Sequence, residues 1–195
     1  MHPFRVNLEN LFEQWFSAIA SDDVERMGTL LEQDAGLLGV THDSLHPLQY
    51  AAKHNSVAAI SYLVSEGVNV NQPDADILRG KCALHFAVDA VEIEAAEALL
   101  HAGANPDAFD FRGRTPLLLA AMVWPPQTAL ISLLLRYGAD ARLPDQLSGS
   151  LPEEIAERGG HPEIAGLLRA ARERLELGEI VPCGVSASQQ GTQRL

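Results

Sequence analysis

Apolar residues along this chain fall into short runs that recur. Four segments share one order of positions: His46-Pro47-Leu48-Gln49-Tyr50-Ala51, Cys82-Ala83-Leu84-His85-Phe86-Ala87, Thr115-Pro116-Leu117-Leu118-Leu119-Ala120 and Leu151-Pro152-Glu153-Glu154-Ile155-Ala156. They begin at residues 46, 82, 115 and 151, at intervals of 36, 33 and 36. Each is followed at a nearly fixed distance by an apolar pair: Leu63-Val64, Leu99-Leu100, Leu134-Leu135 and Leu167-Leu168. Three of the units then close on glycine, in Glu66-Gly67-Val68-Asn69, Ala102-Gly103-Ala104-Asn105 and Tyr137-Gly138-Ala139-Asp140. A degenerate copy precedes them, with Trp15-Phe16-Ser17-Ala18-Ile19-Ala20 followed by Leu30-Leu31.

The residue types predict two helices per unit. Pro47, Pro116 and Pro152 suit first helical positions, where a missing N–H costs nothing. Thr115 suits the cap before such a helix. Ala51, Ala87, Ala120 and Ala156 keep the first helix thin, so that a neighbouring unit can approach. The apolar pairs give the second helix one buried stripe. Gly67, Gly103 and Gly138 suit its left-handed C-terminal cap. One such unit cannot bury its own apolar face, so the units are expected to stack into one continuous core.

This combination resembles the ankyrin-repeat family, whose signature is a T-P-L-H-x-A turn recurring about every 33 residues. Gly113-Arg114-Thr115-Pro116-Leu117 and Gly160-His161-Pro162-Glu163-Ile164 match other parts of the family pattern. The resemblance implies an all-α solenoid of about five helix-turn-helix units joined by short hairpin-like loops. It places a repeat domain over residues 1–177, with units at about 7–40, 41–73, 79–108, 110–143 and 146–177. Residues 178–195 read as a flexible C-terminal tail, because GEIVPCGVSASQQGTQRL is rich in Gly, Ser and Gln. The first unit adds Leu11, Phe12 and Trp15 as a cap. The last ends in Arg169, Arg172, Glu173 and Arg174, a polar closing helix.

Departures from the pattern are local. Cys82-Ala83 replaces Thr-Pro, His46 replaces Thr, and Val91 stands where the family usually has the glycine between helices. Extra residues fall in Asp74-Ala75-Asp76-Ile77-Leu78, in Trp124-Pro125-Pro126 and near Gln146-Leu147. Insertions in repeat proteins map to loops and often to the binding face.

Composition narrows the function. Net charge is −12, with 26 acidic residues against 14 Lys and Arg. A nucleic-acid binder would show a basic surface, so no nucleic acid is expected. No run of about 18 apolar residues exists, and none is expected to span a membrane. Two cysteines, Cys82 and Cys183, without metal spacing fit a reducing, cytoplasmic setting. No HExxH, CxxC, GxSxG or P-loop pattern appears, so no cofactor, metal or catalytic residue is assigned. The resemblance gives His85 a structural role in the repeat turn. Glu92, Glu94, Glu97, Glu153, Glu154 and Glu157 read as solvated helix faces.

What remains is a binding surface. In the family the partner usually meets the concave face, made by loop tips and the exposed end of each first helix. Carried onto this chain, that face comprises His42, Asp43, Leu45, Lys53 and His54 in the second unit, and Leu78, Arg79, Lys81, Asp89 and Ala90 in the third. The fourth contributes Phe109, Phe111, Arg112, Arg114, Met122 and Val123, with Trp124 just beyond. The fifth contributes Leu147, Ser148, Ser150 and Arg158. Phe, Trp, Met and Arg together are the composition of an interface core. Net acidity points to a basic protein partner; the local cations point instead to one bringing carboxylates and an apolar knob. The expected function is protein binding by a small inhibitor, of the immunity-protein or antitoxin kind, with an adaptor bridging two proteins as the alternative and an enzyme or enzyme subunit as a distant one. Oligomeric state is not legible.

Overall fold

The computed structural model describes residues 3–76 and 79–178. Ten α-helices lie among them, in five antiparallel pairs. The inner helices are α1 (Pro3–Ala20), α3 (Pro47–Lys53), α5 (Ala83–Ala90), α7 (Pro116–Met122) and α9 (Pro152–Arg158). Their outer partners are α2 (Val24–Gln33), α4 (Val57–Ser65), α6 (Ile93–His101), α8 (Thr128–Arg136) and α10 (Pro162–Glu176). Inner helices touch in the order α1, α3, α5, α7, α9, and outer ones in the order α2, α4, α6, α8. This is an all-α repeat solenoid.

The starts of the inner helices explain which residues the pattern tolerates there. Thr115 caps α7 by accepting from the Leu118 amide at 3.3 Å. Where threonine is absent, the residue at the third helical position reaches back instead. Gln49 accepts from the His46 amide at 2.7 Å, His85 from the Cys82 amide at 3.2 Å and Glu154 from the Leu151 amide at 3.0 Å. Each pairs the amide of the residue before the helix, which the helix itself leaves unbonded. At Cys82 and Leu151 the third-position amide is met by a backbone carbonyl, His85 N donating to Cys82 O at 3.0 Å and Glu154 N to Leu151 O at 3.1 Å. Pro47, Pro116 and Pro152 occupy first helical positions.

Outer helices end as the glycines predict. Gly67, Gly103 and Gly138 have φ of 86°, 90° and 89°. The next residue folds back in each case: Val68 N donates to Leu63 O at 3.1 Å, Ala104 N to Leu99 O at 2.9 Å and Ala139 N to Leu134 O at 3.0 Å. The core follows the period. Ala51, Ala87, Ala120 and Ala156 are buried on the inner helices, and Leu63, Leu99, Leu134 and Leu168 on the outer ones.

The two ends are closed differently. At the first, Trp15 and Phe16 are buried, and the Phe16 ring meets His42 at 5.1 Å and Tyr50 at 4.9 Å. At the last, α10 lies over α9 through an ion network. Arg172 bonds Glu153 at 3.0 Å and Glu176 at 2.7 Å, and Arg169 pairs with Glu157. Glu153 is thus buried, not part of a solvated face. Residues 179–195, most of the segment read as a tail, lie outside the described residues, as does Leu78.

Where four of the five inner helices turn toward their outer partners, α7 being the exception, one residue takes the left-handed conformation. These are Asp22, Asn55, Val91 and Gly160, with φ of 58°, 55°, 63° and 80°. Val91 therefore holds the backbone shape of the glycine it replaces. Asp22 and Asn55 also reach into the next unit. Asp22 accepts from the amides of Ala58 and Ala59 at 3.1 and 2.7 Å, and Asn55 from that of Ala95 at 2.9 Å. Each thereby caps the following unit's outer helix.

Candidate protein-binding face

The loops that precede α5, α7 and α9 project from one side of the stack and are laced together, the first of them also to the loop before α3. Ala75 N donates to Ser44 O at 2.9 Å, Phe111 N to Arg79 O at 2.9 Å and Gln146 N to Gly113 O at 3.1 Å. Each junction thus carries one backbone hydrogen bond between neighbouring loops. Close approach requires glycine at two points. A Cβ at Gly80, φ 58°, would overlap the Phe111 ring, and one at Gly113, φ 71°, would overlap the Gln146 side chain.

Every one of these loops closes on a buried aspartate: Asp74, Asp110 and Asp145. The Asp74 amide donates to Lys81 O at 2.8 Å, that of Asp110 to Arg114 O at 3.0 Å and that of Asp145 to Ser150 O at 2.9 Å. The three carboxylates differ in how well they are met. Burial opposes the ionisation of Asp110, but the Arg114 guanidinium and the amides of Arg114 and Arg112 outweigh it and hold its pKa below the usual value. Amide bonds from Ser148 and Leu147 likewise lower that of Asp145. Asp74 is raised by burial, which its single amide bond from Lys81 and the nearby Arg79 do not offset. Sequence reasoning missed these anchors, although aspartates 74, 110 and 145 recur near the repeat period.

Because the loops are built on carboxylates, half of the expected cations are already engaged. Arg114 bonds Asp110 at 2.8 Å and offers its carbonyl to His85 Nε2 at 3.2 Å. Arg79 bonds Asp76 at 2.7 Å and lies 3.5 Å from Asp74. Lys81 pairs with Asp89. Arg112, Arg158 and Lys53 have no ion pair among the described residues, and all three are exposed.

Among the expected apolar contacts, Leu45 is a correction. It is 3% exposed, because His42 and Leu45 pair across a tight turn, with Asp43 and Ser44 at φ of 51° and 68°, that tucks its side chain into the core. His42 is partly covered by the rings of Phe12, Phe16 and Tyr50, and the His54 ring lies tilted against Tyr50 with centroids 4.4 Å apart. Val123 is half-buried. By contrast Phe111 is 62%, Met122 54%, Trp124 77% and Leu147 78% exposed, and Phe109 is also exposed. Trp124 rests on the His161 ring with centroids 5.0 Å apart.

Two depressions adjoin on this side, sharing Arg112 and Arg114. One, of about 280 Å³, is lined by Arg79, Lys81, Asp110, Arg112 and Arg114. The other, of about 380 Å³, adds Met122, Leu147, Ile155 and Arg158, with Asp145 and Ser148. Among the described residues no cluster of His, Cys, Asp or Glu is arranged to hold a metal, and no helix is long and apolar enough to cross a membrane. His85 and Cys82, which touch at 3.0 Å, are both buried. Burial lowers the pKa of the imidazole and raises that of the thiol. The pair serves the repeat turn.

A laced row of loops above a row of short inner helices, with exposed aromatic and basic residues, defines a repeat-built binding scaffold. The sequence model for ankyrin repeats matches residues 15–110 in three copies. A fowlpox virus ankyrin-repeat protein is 33% identical over 129 residues, which are 65% of this chain and 37% of that protein. Human ankyrin repeat and SOCS box protein 3 is 35% identical over 71 residues, 36% of this chain and 14% of its own length. Human neurogenic locus notch homolog protein 1 is 39% identical over 79 residues, 40% of this chain and 3% of its own. The chain belongs to the ankyrin-repeat family, whose repeats are in general non-catalytic modules for binding other proteins. It spans little more than a third of the first of these relatives and far less of the other two.

Proposed function

We propose that this chain acts by occupying the surface of one cognate protein, as a small cytoplasmic inhibitor or neutralising partner, through the concave face formed by its loops and inner helices. The observation that carries the reading is the exposure of Phe111, Met122, Trp124 and Leu147 on that side. Stacking of the repeats does not need those side chains in the core, and aromatic, Met and Arg residues are the ones enriched at interface centres. Among the described residues the face holds no cluster of His, Cys, Asp or Glu arranged to hold a metal. On this reading the chain supplies no chemistry, binds no nucleic acid or membrane, and works by exclusion.

The test is affinity capture from the source cells with mass spectrometry, wild type beside a Phe111→Ala/Arg112→Ala/Trp124→Ala variant. Arg112 is chosen over Arg114, whose ion pair with Asp110 holds its own loop together. One protein retained by the wild type and lost by a variant with unchanged melting supports the reading. Equal retention by both sinks it. The adaptor alternative predicts that deleting the residues after Leu177 removes one of two partners, whereas an inhibitor keeps its single one.

A further inference from the structure

The distribution of ion pairs on this face carries a second step, which rests on the reading just proposed and names the occupant. Acidic residues outnumber basic ones by 26 to 14, and on this face Arg79, Lys81 and Arg114 are held in ion pairs. Four described arginines, Arg26, Arg112, Arg158 and Arg174, have no ion pair among the described residues. Of these, Arg112 and Arg158 line the same 380 Å³ depression. Its apolar lining is Met122, Leu147 and Ile155. The one carboxylate there, Asp145, is turned inward onto the amides of Leu147 and Ser148 at 2.9 and 2.7 Å. The cavity therefore offers an apolar lining and two guanidinium groups without a carboxylate partner, that of Arg158 donating only to the Glu154 carbonyl at 3.3 Å.

We infer that this depression receives an extended segment of the partner protein in which one apolar side chain is flanked by carboxylates. The apolar group sits against Met122, Leu147 and Ile155, and the acids meet Arg112 and Arg158. Its volume lies at the low end of small-ligand pockets, about 300–1,000 Å³, which suits one bulky side chain and not a folded element. Guanidinium groups bind carboxylates through two parallel hydrogen bonds, so the flanking acids also fix the register. A nucleic-acid strand fits less well. Its charge extends far past the groove, and beyond about 10 Å the strand would face the remaining acidic surface of a chain of net charge −12.

The test is selection of a displayed library of random dodecapeptides on the full chain. Enriched peptides are then made with a fluorescent label and titrated against the wild type, an Arg112→Gln/Arg158→Gln variant and a Met122→Ala/Leu147→Ala variant. All four side chains lie at the surface depression, and melting curves check that each variant stays folded. The expected result is enrichment of Asp or Glu on both sides of Leu, Ile, Met or Phe. Affinity should fall about tenfold or more in the arginine variant, and comparably when peptide Glu is changed to Gln. Enriched peptides without acids that still depend on Met122 and Leu147 would overturn the occupant while leaving the face as a binding site. Peptides indifferent to both variants would overturn the face as well. Absence of any enrichment would overturn an extended-segment occupant, leaving the affinity capture above to judge the wider reading. A labelled oligothymidylate bound as tightly, with the same arginine dependence, would replace the acidic segment by a general polyanion.

Discussion

Val91 and Asn55 hold the same place in successive units, and exchanging their residue types should move stability in opposite directions. Val91 sits at φ 63° and ψ 31°, a left-handed conformation in which a Cβ meets the following carbonyl. The cost is about 1–2 kcal/mol for an ordinary residue, and asparagine carries less of it. Asn55, at φ 55°, also accepts from the Ala95 amide, which stabilises α6 by about 1 kcal/mol. The next outer helix, α8, has a cap residue, Gln127, that makes no side-chain capping bond, and an asparagine at 91 is expected to reach it as Asn55 reaches α6. Val91→Asn thus removes 1–2 kcal/mol of strain and offers a cap of about 1 kcal/mol. Against this stands the loss of a half-buried valine, about 1 kcal/mol. The net expectation is stabilisation by about 1–2 kcal/mol.

Asn55→Val runs the other way. It introduces the strain and deletes the cap, for a loss of about 2–3 kcal/mol. Val91→Gly separates the two effects. It relieves the strain of about 1–2 kcal/mol but supplies no cap, loses the same valine at about 1 kcal/mol and adds about 1 kcal/mol of unfolded-state entropy, so it should lie at the wild type or up to about 1 kcal/mol below it. Urea unfolding followed by circular dichroism reads all three, since a change of 1 kcal/mol moves the midpoint by about 0.5 M. The order expected is Val91→Asn, then wild type, then Val91→Gly at or just below it, then Asn55→Val. A Val91→Asn midpoint below that of the wild type, or an Asn55→Val loss under about 0.5 kcal/mol, would refute the argument that this position couples backbone shape to capping of the next unit.

Other consequences are as direct. Burial lowers the pKa of His85, so the imidazole is neutral in the folded chain while the unfolded chain takes up a proton below about 6.5. Stability from this group is complete above that pH and falls as pH drops toward the lowered folded value, by up to about 1.4 kcal/mol per pH unit. His85→Gln, with the residue type Gln49 uses at the corresponding turn, should flatten that slope in urea midpoints taken between pH 5 and 7.5. Asp110→Asn should cost about 2 kcal/mol near neutral pH, because it leaves the Arg114 guanidinium half-buried without its carboxylate. Since Asp110 has a lowered pKa, its stabilisation is present above the unfolded value and is lost as pH falls through the folded one. Asp74→Asn should stay within about 1 kcal/mol of the wild type, since it removes a buried charge that its surroundings disfavour; a loss matching that of Asp110→Asn would contradict the difference between the two loops. Gly80→Ala should displace the Phe111 ring and lower stability by about 2 kcal/mol through overlap and positive φ, seen as a changed Phe111 resonance and an earlier melt.

The repeat architecture was legible because it rests on residues that act on their own backbone. Gly67, Gly103 and Gly138 end helices whatever lies beside them, and Ala51, Ala87, Ala120 and Ala156 are small wherever they stand. Leu45 was misplaced because one residue decides which way a tight turn points its side chain, and the loop before α3 has no glycine to mark that turn. The caps made by Asp22 and Asn55 were not legible because their partners, Ala58, Ala59 and Ala95, lie in the next unit and contribute only amides, which every sequence has. Five loop or helix-end cations, Arg79, Lys81, Arg112, Arg114 and Arg158, look equivalent in the sequence. Which of them are free depends on where Asp76, Asp89 and Asp110 come to rest after the loops close. That difference separates residues that build the face from residues left to bind with it. An alanine scan read for stability and binding together should therefore split these five: Arg114 moves stability first, whereas Arg112 and Arg158 move binding alone.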